Sequence, residues 1–233
     1  DGIRDAQESR GLGDVYKRQT KEAETMVDIA NKKGLILQVG HIERFNPVMQ
    51  YLEKNIKTPH FIEAHRLTPY PPSREGFPPR GTEVSVVLDL MIHDLEVILH
   101  LVKSELKEFH AIGVPVLSQA EDIANVRLSF KNGCVANVTA SRISPEPMRK
   151  IRVFTDDSYI SLDYQNQTGE IYRKEGTKIQ KEKVPIEKTD ALTRELSSFI
   201  WCVKNKENPI VDGNQASRAL KLAVAISQEM RTN

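Results

Sequence analysis

Residues 84–102, VSVVLDLMIHDLEVILHLV, are almost continuously apolar, and the polar residues that interrupt them are not scattered. At about 100° per residue of α-helix, Asp89, His93, Glu96 and His100 fall within about 40° of one line. Ser85 and Lys103 extend that line at either end. Asp89 and His93, four residues apart, share a helix face. A carboxylate there can orient an imidazole and raise its basicity, which is what proton transfer near neutral pH needs. The same stripe also reads as the solvated side of an amphipathic helix. Asp94 projects from the apolar side, where an unpaired carboxylate is costly, so it should meet a cation or backbone donors.

A second concentration of chemistry lies at residues 40–47, GHIERFNP. It follows a short apolar run, LILQV at 35–39, that reads as a covered strand. Loops at the carboxyl ends of such strands are where α/β proteins place ligands, which makes His41, Glu43, Arg44 and Asn46 candidates. The alternative is a polar connection in which Asn46 caps a helix with Pro47 at its first position. The loop at 68–81, TPYPPSREGFPPRG, is long enough to be a lid or binding loop. Tyr70, Arg74, Phe77 and Arg80 could grip a planar or phosphorylated ligand there, or make an oligomer contact. Asp89, His93 and Glu96 could alternatively chelate a metal for hydrolysis or elimination, although no second cluster at ligand spacing is evident.

The elements that must position these groups follow from periodicity. The chain has 233 residues, with 39% hydrophobic and 28% charged, as suits a globular protein. A formal net charge of +1 gives no electrostatic case for nucleic acid or an anionic membrane. Two distant cysteines, Cys134 and Cys202, favour neither a disulfide framework nor zinc; a reducing, cytoplasmic setting is expected. Residues 1–19 show no periodicity and read as a non-native or disordered tail; Gly11-Leu12-Gly13 lacks the strand, third glycine and helix of a nucleotide loop. Residues 20–33 read as a helix capped by Thr20. Residues 61–67 and then seven segments between 106 and 184 alternate as strands. Asn132-Gly133 marks the clearest hairpin. Two amphipathic helices close the chain: one carries Leu192, Leu196, Phe199, Ile200 and Val203, the other Ala219, Leu222, Ala223, Ile226 and Met230. The expected fold is α+β (α/β): a large, mostly antiparallel open sheet with these helices on one face, preceded by the last helix and strand of a truncated Rossmann domain.

Four stretches resemble the Gfo/Idh/MocA family of nicotinamide-dependent sugar oxidoreductases. They are KEAETMVDIANKKGLILQVGHIERFNP, the D-x-x-x-H-D helix LDLMIHDLEVIL, the hairpin NGCVANVTASR, and the closing segment LTRELSSFIWCVKNKENPIVDGNQASRALKLAVAISQ. The resemblance implies a remnant of the NAD(P)-binding Rossmann domain at 20–40 and a substrate and oligomerisation domain at 41–233. It implies hydride transfer between a sugar carbon and NAD or NADP, with His93 as acid/base, Asp89 orienting it or holding a neighbouring hydroxyl, and Glu43 and Arg44 toward the cofactor. GHIERFNP, the 68–81 loop and SRISPEPMRKIRVF are similar to the UDP-N-acetylglucosamine 3-dehydrogenase-like branch. That similarity sets His41, Arg44, Asn46, Tyr70, Arg74 and Arg142 against a sugar or nucleotide-sugar substrate. Homodimers or homotetramers through the open sheet are implied as well. The family's glycine-rich phosphate loop is absent, and Lys17 in YKRQ does not stand in the family's E-K-P element. The expectation is therefore a fragment that is inactive alone.

Overall fold

Period-two alternation builds most of this protein. The computed structural model describes residues 12–232. It contains one eight-stranded sheet: β1 Phe61–Leu67, β2 Leu106–Val114, β3 Ile123–Phe130, β4 Val135–Ser141, β5 Met148–Phe154, β6 Ser158–Asp163, β7 Thr168–Glu175 and β8 Lys178–Lys183. The strand order is β2-β3-β4-β1-β5-β6-β7-β8. Every neighbouring pair is antiparallel except β1 and β4. The open, mostly antiparallel sheet of the α+β expectation is thus the observed one. Gly133, at φ +88°, closes the β3–β4 hairpin in a conformation that glycine adopts without steric cost.

The two faces of the sheet differ as the alternation requires. Ile62, Ala64 and Arg66 of β1, Val126 and Leu128 of β3, Val138 of β4 and Ile151 and Val153 of β5 turn to one side and are buried. Helices cover that side: α2 Pro47–Asn55, α3 Ile92–Val102 and the last helix, α5 Gly213–Thr232. Ala219, Leu222, Ala223 and Ile226 of α5 are buried as its periodicity predicts. The opposite face is polar and half-exposed, with Arg152 Nη1 3.1 Å from Glu63 Oε2 and a row of rings, Phe61, Phe154, Tyr159 and Tyr172, crossing it.

Four expectations change. The helix α1 spans Leu12–Lys33, so it begins eight residues before Thr20 and takes in part of the stretch read as a tail. Once a helix is nucleated, each added residue costs little; residues 1–11 lie outside the described part. Residues 35–39 form no sheet strand: Gln38 makes one bridge to Asp212, and Leu35 is 59% exposed. A covered strand needs hydrogen-bonded neighbours on its edges, and among the described residues this one has none beyond that bridge. The five-turn helix at 84–102 is composite, since a π turn over Val87–Met91 precedes α3. Finally, helix α4, Ala191–Asn205, does not lie on the sheet. Its Leu192, Leu196, Ile200 and Val203 are each at least half exposed, and only Cys202 is buried. The sheet face it was expected to cover is already occupied by α3 and α5, and α4 packs against the turn at Ile42–Phe45 instead.

Candidate active site

The site is built where that turn meets α3 and β1. Residues Ile42–Phe45 make one 3-10 turn, and Asn46 then caps α2, its Oδ1 accepting from Val48 N at 3.2 Å with Pro47 at the first helical position. The capping alternative read from the sequence is what occurs. The Asn46 Nδ2 donates to Tyr164 O at 3.1 Å and to Glu43 Oε2 at 3.4 Å, so its side chain is fully engaged within the fold.

Beneath the turn lies a lattice of paired charges. Arg66 reaches inward from β1 on the parity of Ile62 and Ala64. Its Nε and Nη2 hold the Asp94 carboxylate at 2.7 and 3.2 Å, and its Nη1 holds Glu43 Oε1 at 3.0 Å. Asp94 has therefore found the cation that its place on an apolar face demanded. Beside this, Arg44 Nη1 donates to Glu96 Oε1 at 2.8 Å, and Arg44 Nε lies 3.4 Å from Glu53 Oε1. Glu53 also meets His100 Nε2 at 2.9 Å. These pairs give the buried Glu43, Arg44, Asp94 and Glu96 the partners that burial of a charge demands. They also alter the expectation for the turn: Glu43, Arg44 and Asn46 are each held by partners within the fold, although Arg44 Nε makes no hydrogen bond.

Arg142 departs further from its expected role. It is 1% exposed. Its Nε donates to Asp122 Oδ1 at 2.8 Å, its Nη1 to the Gly81 carbonyl at 2.6 Å, and its Nη2 to the Val84 and Glu121 carbonyls at 2.9 and 3.1 Å. A guanidinium so enclosed, with every nitrogen donating within the fold, ties two loops together. The exposed loop at 68–81 holds Arg74 5.5 Å from the Phe77 ring, with Tyr70 half-buried. No distance ties these two to the buried groups.

Arg44 Nε and Glu96 Oε2 within the lattice make no hydrogen bond, and next to them a pair of histidines is left unsatisfied as well. His41, 5% exposed, and His93 stand edge to face with ring centroids 5.5 Å apart. The Nδ1 of each is buried without a hydrogen-bond partner. Burial first, then the Arg44 charge, brings His41 down to about 4. Burial brings His93 to about 4 as well; the charges of Arg66, His41 and Arg149 add to this, and Glu43 opposes them. Both rings are therefore neutral at pH 7 and able to accept a proton. Asp89, expected to orient His93, makes no hydrogen bond to it. Its carboxylate rests in the π turn against Gly81, where a Cβ would come within 2.5 Å of Oδ2. Gly81 sits at φ +84° and leaves that room. Burial raises the Asp89 carboxyl, opposed most strongly by Arg142. A π turn closes between residues five apart, so the wheel drawn for a uniform α-helix does not describe this segment.

Arg66, the cation at the centre of this lattice, is not singled out by the motifs, and parity along FIEAHRL, which puts it inward with Ile62 and Ala64, is the available signal. Among the described residues, no group of three His, Cys, Asp or Glu side chains is placed to hold a metal ion. No described helix is long and apolar enough to cross a membrane. Both cysteines are free and buried.

Comparison with known proteins fits this geometry. The GFO/IDH/MocA C-terminal domain family model matches residues 53–161. UDP-N-acetylglucosamine 3-dehydrogenase of Acidithiobacillus ferrooxidans is 36% identical over 218 residues, which are 91% of this chain and 67% of that protein. A solved structure of that enzyme superposes with a TM-score of 0.84 at 34% identity, over 91% of this chain and 67% of that one. The scyllo-inositol 2-dehydrogenase (NAD(+)) of Bacillus subtilis is 24% identical over 227 residues, 91% of this chain and 65% of that protein. The chain spans about two thirds of the length of these relatives. With its D-x-x-x-H-D helix at 89–94 placed over an open sheet, the chain belongs to the Gfo/Idh/MocA family of oxidoreductases.

Proposed function

We propose that these residues form the substrate side of a dehydrogenase that moves hydride between a hydroxyl-bearing carbon of a sugar or UDP-sugar and NAD or NADP. The observation that carries this reading is the neutral pair His41 and His93, buried edge to face without partners at Nδ1 beside a lattice of buried ion pairs. His93 is the acid/base, and its Nε2 takes the hydroxyl proton as the carbon is oxidised. Its neutrality at pH 7 is what allows it to take that proton. His41 lies against it and bounds the space for the sugar. Asp89, in its half-buried place, holds a neighbouring hydroxyl rather than the imidazole.

The nicotinamide supplies the hydride acceptor. The described residues do not fit the rest of that cofactor: they contain no glycine-rich strand-to-helix turn, and residues 35–39 lack the sheet partners such a turn requires. We take this chain alone to be inactive. The substrate class is drawn from the A. ferrooxidans relative, at 36% identity against 24% for the inositol enzyme. The open sheet face with its aromatic row supports a homodimer or homotetramer, and two free cysteines suit a cytoplasmic setting.

The test joins this chain to the nucleotide-binding part of the A. ferrooxidans enzyme and follows NADH formation from UDP-N-acetylglucosamine. His93→Gln should lower turnover about 100- to 10,000-fold. Turnover within a few-fold of the parent would remove His93 from the chemistry. Calorimetry on the unmodified chain should show no micromolar NAD(H) binding, and finding it would overturn the inactivity.

A further inference from the structure

Arg44 and Arg142, the buried arginines expected to face a phosphate-bearing substrate, are engaged inside the fold. Arg149 is not. It lies near the start of β5 with the parity of Ile151 and Val153, so it faces the helix-covered side of the sheet. Its register partner on β1 is Arg66. The carboxylates that satisfy Arg66, Asp94 and Glu43, are held by that residue. Arg149 stands at the end of the same row, exposed, and among the described residues it makes no ion pair or side-chain hydrogen bond. Like charges on facing strand positions repel, so an uncompensated guanidinium at this point needs a reason.

Its surroundings supply one. The charged and titratable groups that bear on His93 include Asp89 and Asp94 from its own helical segment, Arg66 from β1, His41 and Glu43 from the turn, and Arg149, which pairs in register with Arg66, from β5. Arg149 thus stands beside Arg66, whose partner Asp94 follows His93 in the chain, and it is open to solvent. A planar guanidinium fork matches the oxygens of a phosphate group, and a strand holds it more firmly than the loop at 68–81 holds Arg74. We propose that Arg149 is the specificity-determining residue that takes a phosphate oxygen of a nucleoside diphosphate-sugar whose hydroxyl faces His93. This rests on the UDP-sugar reading above.

The test titrates UDP-N-acetylglucosamine and uncharged N-acetylglucosamine into the unmodified chain, Arg149→Gln and Arg149→Lys, followed by NMR. A charge-assisted pair lost from the site should weaken the UDP-sugar about ten- to a hundredfold in Arg149→Gln. Arg149→Lys should recover part of the loss, and N-acetylglucosamine should not respond. Equal UDP-sugar affinity in Arg149→Gln would overturn the role of Arg149 and leave the UDP-sugar reading standing. If the unmodified chain bound N-acetylglucosamine as tightly as the UDP-sugar, both would fall. A measurement without ligand guards the proposal: the His93 ring should protonate at higher pH in Arg149→Gln. An unmoved His93 titration would place the guanidinium away from the pair and overturn the proposal whatever the ligands do.

Discussion

Two sets of polar groups are buried side by side around the turn at Ile42–Phe45, and the fold treats them in opposite ways. Arg66 with Asp94 and Glu43, and Arg44 with Glu96, are charges matched by charges at 2.7 to 3.0 Å. His41 and His93 are neutral rings whose buried Nδ1 atoms meet nothing. The difference separates a frame from a site. A buried ion can remain only if it is paired, and pairing removes it from chemistry. A buried imidazole can stay unpaired because it can stay uncharged, and an uncharged imidazole is a base.

The contrast can be broken from the frame's side. Asp94→Ala leaves the Arg66 guanidinium buried with half its partners and should lose about 3–5 kcal/mol in denaturant unfolding. Replacing both, as Arg66→Met with Asp94→Leu, should recover most of that loss. A single-variant loss below 1 kcal/mol would mean that the lattice is not what holds the turn. The next largest effect lies with the histidines, and its sign is set by protons. Below about pH 6.5 the unfolded chain protonates both rings, whereas the native state holds them neutral down to about 4. Stability should therefore be level above pH 7 and fall as pH drops from 6.5 to 4, by up to about 3 kcal/mol per histidine. His41→Gln with His93→Gln should flatten that slope. A slope that survives in the double variant would assign the acid sensitivity to other groups. The smallest effect is expected outside both sets. Arg74→Ala removes only an exposed contact with Phe77 and should change stability by less than about 1 kcal/mol. A loss above 2 kcal/mol would show that the 68–81 loop braces the buried charges.

The closing helices show how far the sequence could be read. Both carry an apolar stripe at helical spacing, and both were read as facing the sheet. In α5 the stripe is buried; in α4 it faces outward, with Leu196 55% and Ile200 53% exposed. The pattern states that a face is apolar and leaves unstated what lies across from it. The same limit applies at the turn, where spacing does not tell His41, set against His93, from Glu43 and Arg44, which are held in ion pairs. Asp94 shows the opposite case: an acid on an apolar helix face required a cation, and Arg66 is there.

Local regularities fixed by the sequence alone were the eight strands, the Asn132-Gly133 hairpin, the capping of α2 by Asn46 and the D-x-x-x-H-D signature, because each depends on neighbours within a few positions. Only the tertiary structure decided which polar residues are partners and which are left over. Asp94 meets a cation 28 positions away and Arg44 an acid 52 positions away. Those distances close only when turn, strand and helix pack together. That packing takes Glu43, Arg44, Asn46 and Arg142 into the fold and leaves the His41 and His93 Nδ1 atoms and the Arg149 guanidinium among the groups it does not engage.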